Sequence, residues 1–224
     1  MTTYKLAVIG GTGPQGKGLA YRFATAGHTV IIGSRHTERA QVTAEEITVR
    51  LDGDAVHVSG ADNATAADAA DIVLLAVPFD GHAALVESLR AQLAAKVMIS
   101  CVNPLGFDKR GPHGLDVADG SAAEEAQRLV PDAQLVGAFH HLSAVNLWNE
   151  AAELEHEDVL VCGDNTEAKA VAIDLARAIC GRDGIDVGPL RLARQLEPLT
   201  AVLISVNKRY GVRSGLRLSG LDKH

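Results

Sequence analysis

Three features of the chain predict an α/β fold with a doubly wound parallel sheet. Short β-branched or leucine-rich runs alternate with helical patterns, a glycine-rich turn joins the first run to the first helical segment, and the run Ile72-Val73-Leu74-Leu75-Ala76-Val77 is almost continuously apolar. Such alternation reads as βαβ units building a parallel sheet, and an unbroken apolar strand suits a sheet covered by helices on both faces. Strands are expected over 6–9, 29–32, 56–59, 72–77, 97–101 and 135–138, and helices over 16–26, 37–51, 81–94 and 122–130, where good helix formers recur at helical spacing. The stretch 103–120 breaks the rhythm: it is rich in glycine, carries Pro104 and Pro112, and reads as a long loop of the kind that tends to be functional. After it, a strand over 157–162, a helix over 165–178 and a last helix over 190–209, kinked or begun at Pro198, form a small C-terminal α/β lobe. The expected division is 1–145 and 146–224.

Composition narrows the function classes. The 224 residues are 47% hydrophobic, enough for a substantial core, and the formal charge of −7 with no Lys/Arg run argues against nucleic-acid binding. No apolar stretch approaches the roughly 18 to 20 residues of a membrane span, and the chain enters a strand pattern at Lys5 with no targeting segment, so a cytoplasmic protein is expected. Cys101, Cys162 and Cys180 are too widely spaced for paired metal ligation and fit buried packing in a reduced compartment.

The turn Gly11-Thr12-Gly13-Pro14-Gln15-Gly16 directly follows the first strand and opens a helix. In that context Gly11 permits the tight turn, Gly13 admits a diphosphate to the backbone, and Gly16 lets the helix pack close, which makes the domain Rossmann-type. Pro14 gives up an amide that has no partner in the first helical turn, and the remaining amides and helix dipole face the diphosphate. At the end of the second strand an acidic residue would select NAD. Ser34 and Arg35 stand there instead, with Arg39 one helical turn on, offering donors and charge to a 2′-phosphate, so NADP(H) is the expected cofactor.

Val77 and Pro78 close the apolar fourth strand at the ligand edge, and either wall the cofactor or simply end the strand. His82 just beyond either reaches the cofactor or covers the helix surface. His140 and His141 follow the sixth strand at the same edge; each is a site histidine or a satisfied structural one. No triad, paired-carboxylate arrangement or HExxH accompanies them, so no metal is expected. Between Leu190 and His224 stand seven basic residues against Glu197 and Asp222, a locally basic segment that suits an anionic substrate, a solvated helix face or a subunit interface.

Taken together, Gly10-Gly11-Thr12-Gly13 with Gly16-Lys17-Gly18-Leu19-Ala20, Gly33-Ser34-Arg35, Val77-Pro78, Ala138-Phe139-His140, Val161-Cys162-Gly163-Asp164 and Asp186-Val187-Gly188-Pro189-Leu190 resemble the NADPH-dependent reductases of coenzyme F420, a deazaflavin. The resemblance runs nearly end to end. It implies direct hydride transfer between the nicotinamide and the deazaflavin, with no covalent nucleophile and no obligatory catalytic side chain; His140 is the candidate if one takes part. It further implies that Thr12, Gly13, Pro14 and Gln15 bind the diphosphate, that Ser34, Arg35 and Arg39 take the 2′-phosphate, and that Val77, Pro78, His82, Asn103 and Ala144 line the nicotinamide half. His140 and Ser214 would meet the deazaflavin, residues 146–224 would form the deazaflavin-binding and dimerisation lobe, and the protein would be a homodimer. The chain departs from the archaeal pattern at His140-His141-Leu142-Ser143-Ala144 and in a longer loop after Pro78. The alternatives are an NADP-dependent reductase of a small imine or keto compound, or a non-enzymatic NADP-sensing module.

Overall fold

Alternate residues of strand β1 (Lys5–Ile9) face opposite sides of a central sheet, and each side carries its own core. In the computed structural model, which describes residues 2–51 and 57–221, Leu6 and Val8 pack with α1 (Pro14–Thr25) and α2 (Thr37–Arg50) through Leu19, Phe23 and Ile47. Ala7 and Ile9 face α3 (Asn63–Ala69), α4 (His82–Ser88) and α5 (Arg90–Leu93), whose Ala66, Val86 and Leu93 belong to the second core. Helices on both faces thus account for the apolar strand interiors.

The strands run in chain order as β2 (Thr29–Ser34), β3 (Val58–Asp62), β4 (Ile72–Leu75), β5 (Val97–Ser100), β6 (Leu105–Asp108), β7 (Gly111–Gly114), β8 (Gln134–Gly137), β9 (Leu160–Gly163) and β10 (Ile185–Gly188). Among the described residues the main sheet has eight strands in the order β10-β9-β8-β5-β4-β1-β2-β3, parallel except where β9 runs against β8. Its portion β3-β2-β1-β4-β5-β8 is the doubly wound dinucleotide-binding order, whose direction reverses between β1 and β4. Ile9 pairs with both Gly33 and Leu75, so the glycine turn, Ser34 and Ala76 emerge at one edge.

Strand β9 pairs with β8, so the C-terminal segment extends the same sheet. Helix α8 (Thr166–Cys180) is capped by the Asn165 side chain, which accepts from the Ala168 amide at 2.9 Å, and ends on Gly181 in the left-handed region at φ 65°. The expected helix over 81–94 breaks at Leu89 into α4 and α5, and the fourth strand stops at Leu75. The expected loop over 103–120 contains the hairpin of β6 and β7, its turn closed by the Asp108 carboxylate accepting from the Arg110 and Gly111 amides at 2.7 and 3.1 Å. The short α3, β10 and α7 (Ala144–Trp148) had no sequence periodicity long enough to announce them. The expected third strand begins partly outside the described residues.

Helix α6 (Ala122–Leu129) packs beside α9 (Ala193–Tyr210), which follows a 3-10 turn at Leu190–Leu192. Pro198 lies inside α9 and does not start it; its ring meets Gly114 of the hairpin, where a Cβ would come within 2.8 Å.

Candidate active site

At the β1 edge the left-handed residue of the turn is Gly10, φ 81°, and not Gly11. Gly11 is needed for space, since a Cβ there would sit 2.8 Å from the Val8 carbonyl and 3.0 Å from Ile32 Cγ2. Gly16 acts as expected: its Cβ would come 2.6 Å from the Gly10 carbonyl and push α1 off the turn. Gly13 caps α1 with no side chain and has only the Gly10 carbonyl beside it, at 3.4 Å. A helix start led by Pro14 and left without a capping side chain is suited to an anion.

Two clefts open on this edge. The smaller, about 270 Å³, is lined by Thr12, Gly13, Ser34, Arg35 and Arg39, together with His36 and Asn63. Ser34 is buried and its Oγ accepts from the His36 amide at 3.2 Å, leaving the hydroxyl proton to donate. Arg35 and Arg39 are exposed, and neither is ion-paired among the described residues. An unengaged pair of guanidiniums beside a buried hydroxyl is a donor set fit for a phosphate dianion.

The larger cleft, about 670 Å³, is lined by Pro14, Gln15, Asn103, His140, Ala144 and Ser214; Gly13, Ala76, Val77 and Pro78 border both clefts. Gln15 Nε2 donates to the Phe139 carbonyl at 3.3 Å. Phe139 is a non-glycine residue at φ 63°, a strained backbone held by an edge-on ring contact with Phe23 at 5.8 Å. Next to it, His140 is buried with both ring nitrogens unpartnered, and burial, with His141 adjacent, pushes its pKa down to about 3. Asn103 Nδ2 and Thr200 Oγ1 each donate to the His140 carbonyl at 3.0 Å, while the buried Asn103 Oδ1 has no partner. Orphaned polar atoms on the lining of a cleft fit a ligand that supplies their missing bonds. His141, by contrast, is satisfied: its Nε2 lies 2.8 Å from the Leu196 carbonyl.

Ala144 opens α7, which is locked against α1. A Cβ at Gly18 would come 2.6 Å from Leu147 Cβ, and Arg22 donates to the carbonyls of Leu147, Asn146 and Asn149 at 2.8, 2.9 and 2.6 Å. The helix that presents the glycine turn thereby also fixes the opposite wall.

His82 is not part of either lining. It is buried, with Nδ1 2.7 Å from Glu125 Oε2 of α6 and Nε2 without a partner. The basic C-terminal segment also divides: of its described basic residues Lys208 and Arg213 line the larger cleft, Arg194 pairs with Glu124 at 2.7 Å, and Asp222 and Lys223 lie outside the described residues. Thr200, Leu203, Ile204 and Asn207 line the cleft and were missed, although their one-face helical spacing on α9 gave a signal. His36 and Asn63 were missed; His36 directly follows Arg35 in the chain and gave a signal, whereas Asn63 gave none. All three cysteines are buried and their thiols are pushed up to about 12 by burial. Among the described residues no three His, Cys, Asp or Glu side chains form a metal-binding group, and no helix is long and apolar enough to cross a membrane.

The strand order, the glycine turn at the switch point and the two clefts meeting over Val77 and Pro78 define a protein of the Rossmann-type dinucleotide-binding class. The family described as NADP oxidoreductase coenzyme F420-dependent matches residues 5–104. The F420-dependent NADP reductase of Methanothermobacter thermautotrophicus is 40% identical over 98% of this chain and 96% of its own, and that of Methanothermobacter marburgensis 37% over 98% and 100%. A solved structure titled a putative F420-dependent NADP-reductase from Arthrobacter sp. FB24 superposes with a TM-score of 0.80 at 29% identity, covering 96% of this chain and 99% of its own. The chain belongs to the coenzyme F420-dependent NADP oxidoreductase family.

Proposed function

We propose that this protein transfers a hydride directly between NADP(H) and the deazaflavin coenzyme F420. The observation that carries the reading is the shared border of the two clefts, where Gly13, Ala76, Val77 and Pro78 serve both. A dinucleotide anchored at its phosphates in the smaller cleft reaches the larger one only across this border, which is where a second carrier meets it. When bound, the two carriers supply the redox chemistry, a hydride leaving one ring carbon for the other.

The chain's own residues supply positioning and electrostatics. Thr12, Gly13, Pro14 and Gln15 hold the diphosphate at the start of α1, and Ser34, Arg35 and Arg39 hold the 2′-phosphate. Val77 and Pro78 form the wall beneath the nicotinamide, with Asn103 and Ala144 on its far side. His140 presents a neutral imidazole, held in that state by burial, and with Ser214 faces the deazaflavin. Lys208 and Arg213 at the cleft mouth attract the acidic tail of that coenzyme. No covalent nucleophile is called for, and the proton that accompanies the hydride onto the reduced deazaflavin is taken from solvent.

Residues 146–224 serve as the deazaflavin-binding and dimerisation part of a cytoplasmic homodimer. Support for the dimer is the exposure of Val202 on α9, extended outside residues 146–224 by the exposed Phe107 of β6 and Leu115 just after β7. The test of the function mixes purified protein with NADPH and oxidised F420 and follows loss of the deazaflavin's visible absorbance. Rapid bleaching is expected; no turnover with intact NADPH binding overturns the proposal.

A further inference from the structure

Beyond α9 the chain reverses at Gly211, φ 67°, and runs without regular structure along the protein to Leu221. Two fasteners hold this tail. At the first, Asn207 Oδ1 accepts from the Ser214 amide at 2.6 Å and from its hydroxyl at 2.7 Å. At the second, on the segment leading into β9, the Asp158 amide donates to the Leu216 carbonyl at 2.7 Å and Asp158 Oδ2 accepts from the Leu218 amide at 2.7 Å.

Asp158 is 4% exposed, and a carboxylate so buried persists only where charge and hydrogen bonds compensate it. Its compensation includes the tail: besides the Leu218 amide, Arg217 Nε lies 4.0 Å from Oδ2, while Arg182 approaches Oδ1 at 3.4 Å. Between the fasteners, Gly215 lies against the Glu157 side chain so closely that any Cβ would overlap its carboxyl group. Leu216 and Leu218 anchor on the second core. The outcome is that Arg213 and Ser214, on the stretch before the second fastener, line the larger cleft, whereas Asp158 and Glu157 do not.

We propose that Asp158, with Glu157 beneath Gly215, is a positioning clasp that sets the protein's affinity for the deazaflavin by holding the tail over the larger cleft. The inference rests on the reading that the larger cleft takes the deazaflavin. Because the clasp touches neither the glycine turn nor the smaller cleft, it governs one carrier and not the other.

The test compares Asp158→Ala, Asp158→Asn, Gly215→Ala and a chain ending after Gly211 with the parent, measuring KM for F420, KM for NADPH, kcat and the rate of tryptic cleavage at Arg213 and Arg217. Loss of the charged hydrogen bonds in Asp158→Ala is expected to raise KM for F420 about tenfold and speed tail cleavage, with KM for NADPH unchanged. Asp158→Asn keeps an acceptor for the Leu218 amide and should recover part of the loss. Should Asp158→Ala fail to fold, Gly215→Ala is judged by the same criterion. If the truncated chain raises KM for F420 but Asp158→Ala and Gly215→Ala free the tail without doing so, the clasp is wrong and the site reading survives. If truncation leaves KM for F420 unchanged, the tail has no part in that site and the clasp falls with it.

Discussion

Replacing Arg35 by alanine should separate NADPH from NADH more sharply than any other single change. Arg35 and Arg39 flank the smaller cleft with no carboxylate partner among the described residues, so neither guanidinium must first be released to meet a phosphate. A charge-assisted hydrogen bond contributes roughly 1.5 to 3 kcal/mol, and the exposure of Arg35 to solvent places it at the low end. About 1.5 kcal/mol corresponds to roughly a tenfold rise in KM for NADPH. NADH has no 2′-phosphate, and its KM should not move. Initial rates with each nucleotide at saturating F420 measure both, and repeating them near 0.5 M salt should shrink the NADPH effect because an exposed ion contact is screened within about a Debye length. Equal losses for NADPH and NADH, or a salt-independent effect, would refute the assignment of Arg35 to the 2′-phosphate.

Gly16→Ala should lower the melting temperature by several degrees and raise KM for NADPH, because its Cβ must displace the Gly10 carbonyl 2.6 Å away; overpacking of this kind costs about 1 to 3 kcal/mol. Unchanged melting would mean that the turn yields without strain. Glu197, buried on α9 with its carboxylate accepting from the Ala122 and Ala123 amides at 2.8 and 3.0 Å, has its carboxyl raised by burial from 4.5 to about 7. Between those values the folded chain keeps a proton that the unfolded chain has released, so this group's contribution to stability falls as pH rises through the window. Urea unfolding of parent and Glu197→Gln should therefore show their stability difference shifting against the parent by up to about 3 kcal/mol from pH 4.5 to 7, and a difference independent of pH would contradict the burial argument. Because His140 is held neutral with a pKa near 3, the pH profile of kcat should lack an inflection in the ordinary imidazole range that His140→Phe removes; finding one would make His140 a proton donor. If the proposed homodimer forms through this face, Phe107→Arg combined with Val202→Arg should shift sedimentation toward a monomer, and an unaltered profile would overturn that interface.

Local rules made much of this molecule readable in advance. The glycine turn, the two-sided apolar strand and Ser34-Arg35 at the end of β2 are each dictated by neighbours within a few residues, and parallel pairing is what short helical connections between strands favour. Even there the roles shifted: the left-handed residue is Gly10, and Gly11 serves packing against Val8 and Ile32 across strands. Short elements such as α3, α7 and the β6–β7 hairpin escaped because four to seven residues carry too little periodicity to register. His82 illustrates the same limit at a single side chain. Its place near the start of a helix was apparent, but Glu125, the partner its Nδ1 meets, is 43 residues distant.

The sequence by itself determined the fold class and marked where the dinucleotide and its 2′-phosphate are expected to sit, because each depends on contiguous backbone and on the chemistry of adjacent side chains. The resemblance had named Asn103, His140, Ala144 and Ser214, but only the tertiary structure decided how they come together with α9 in the second cleft. Asn103, His140, Thr200 and Ser214 come from four separate stretches, and no pattern in the chain shows that Asn103 and Thr200 both donate to one carbonyl of His140 or that Asp158 fastens the tail. Such contacts are fixed by how β8, α9 and the tail pack against one another, a long-range outcome of burying apolar surface that leaves no local signature.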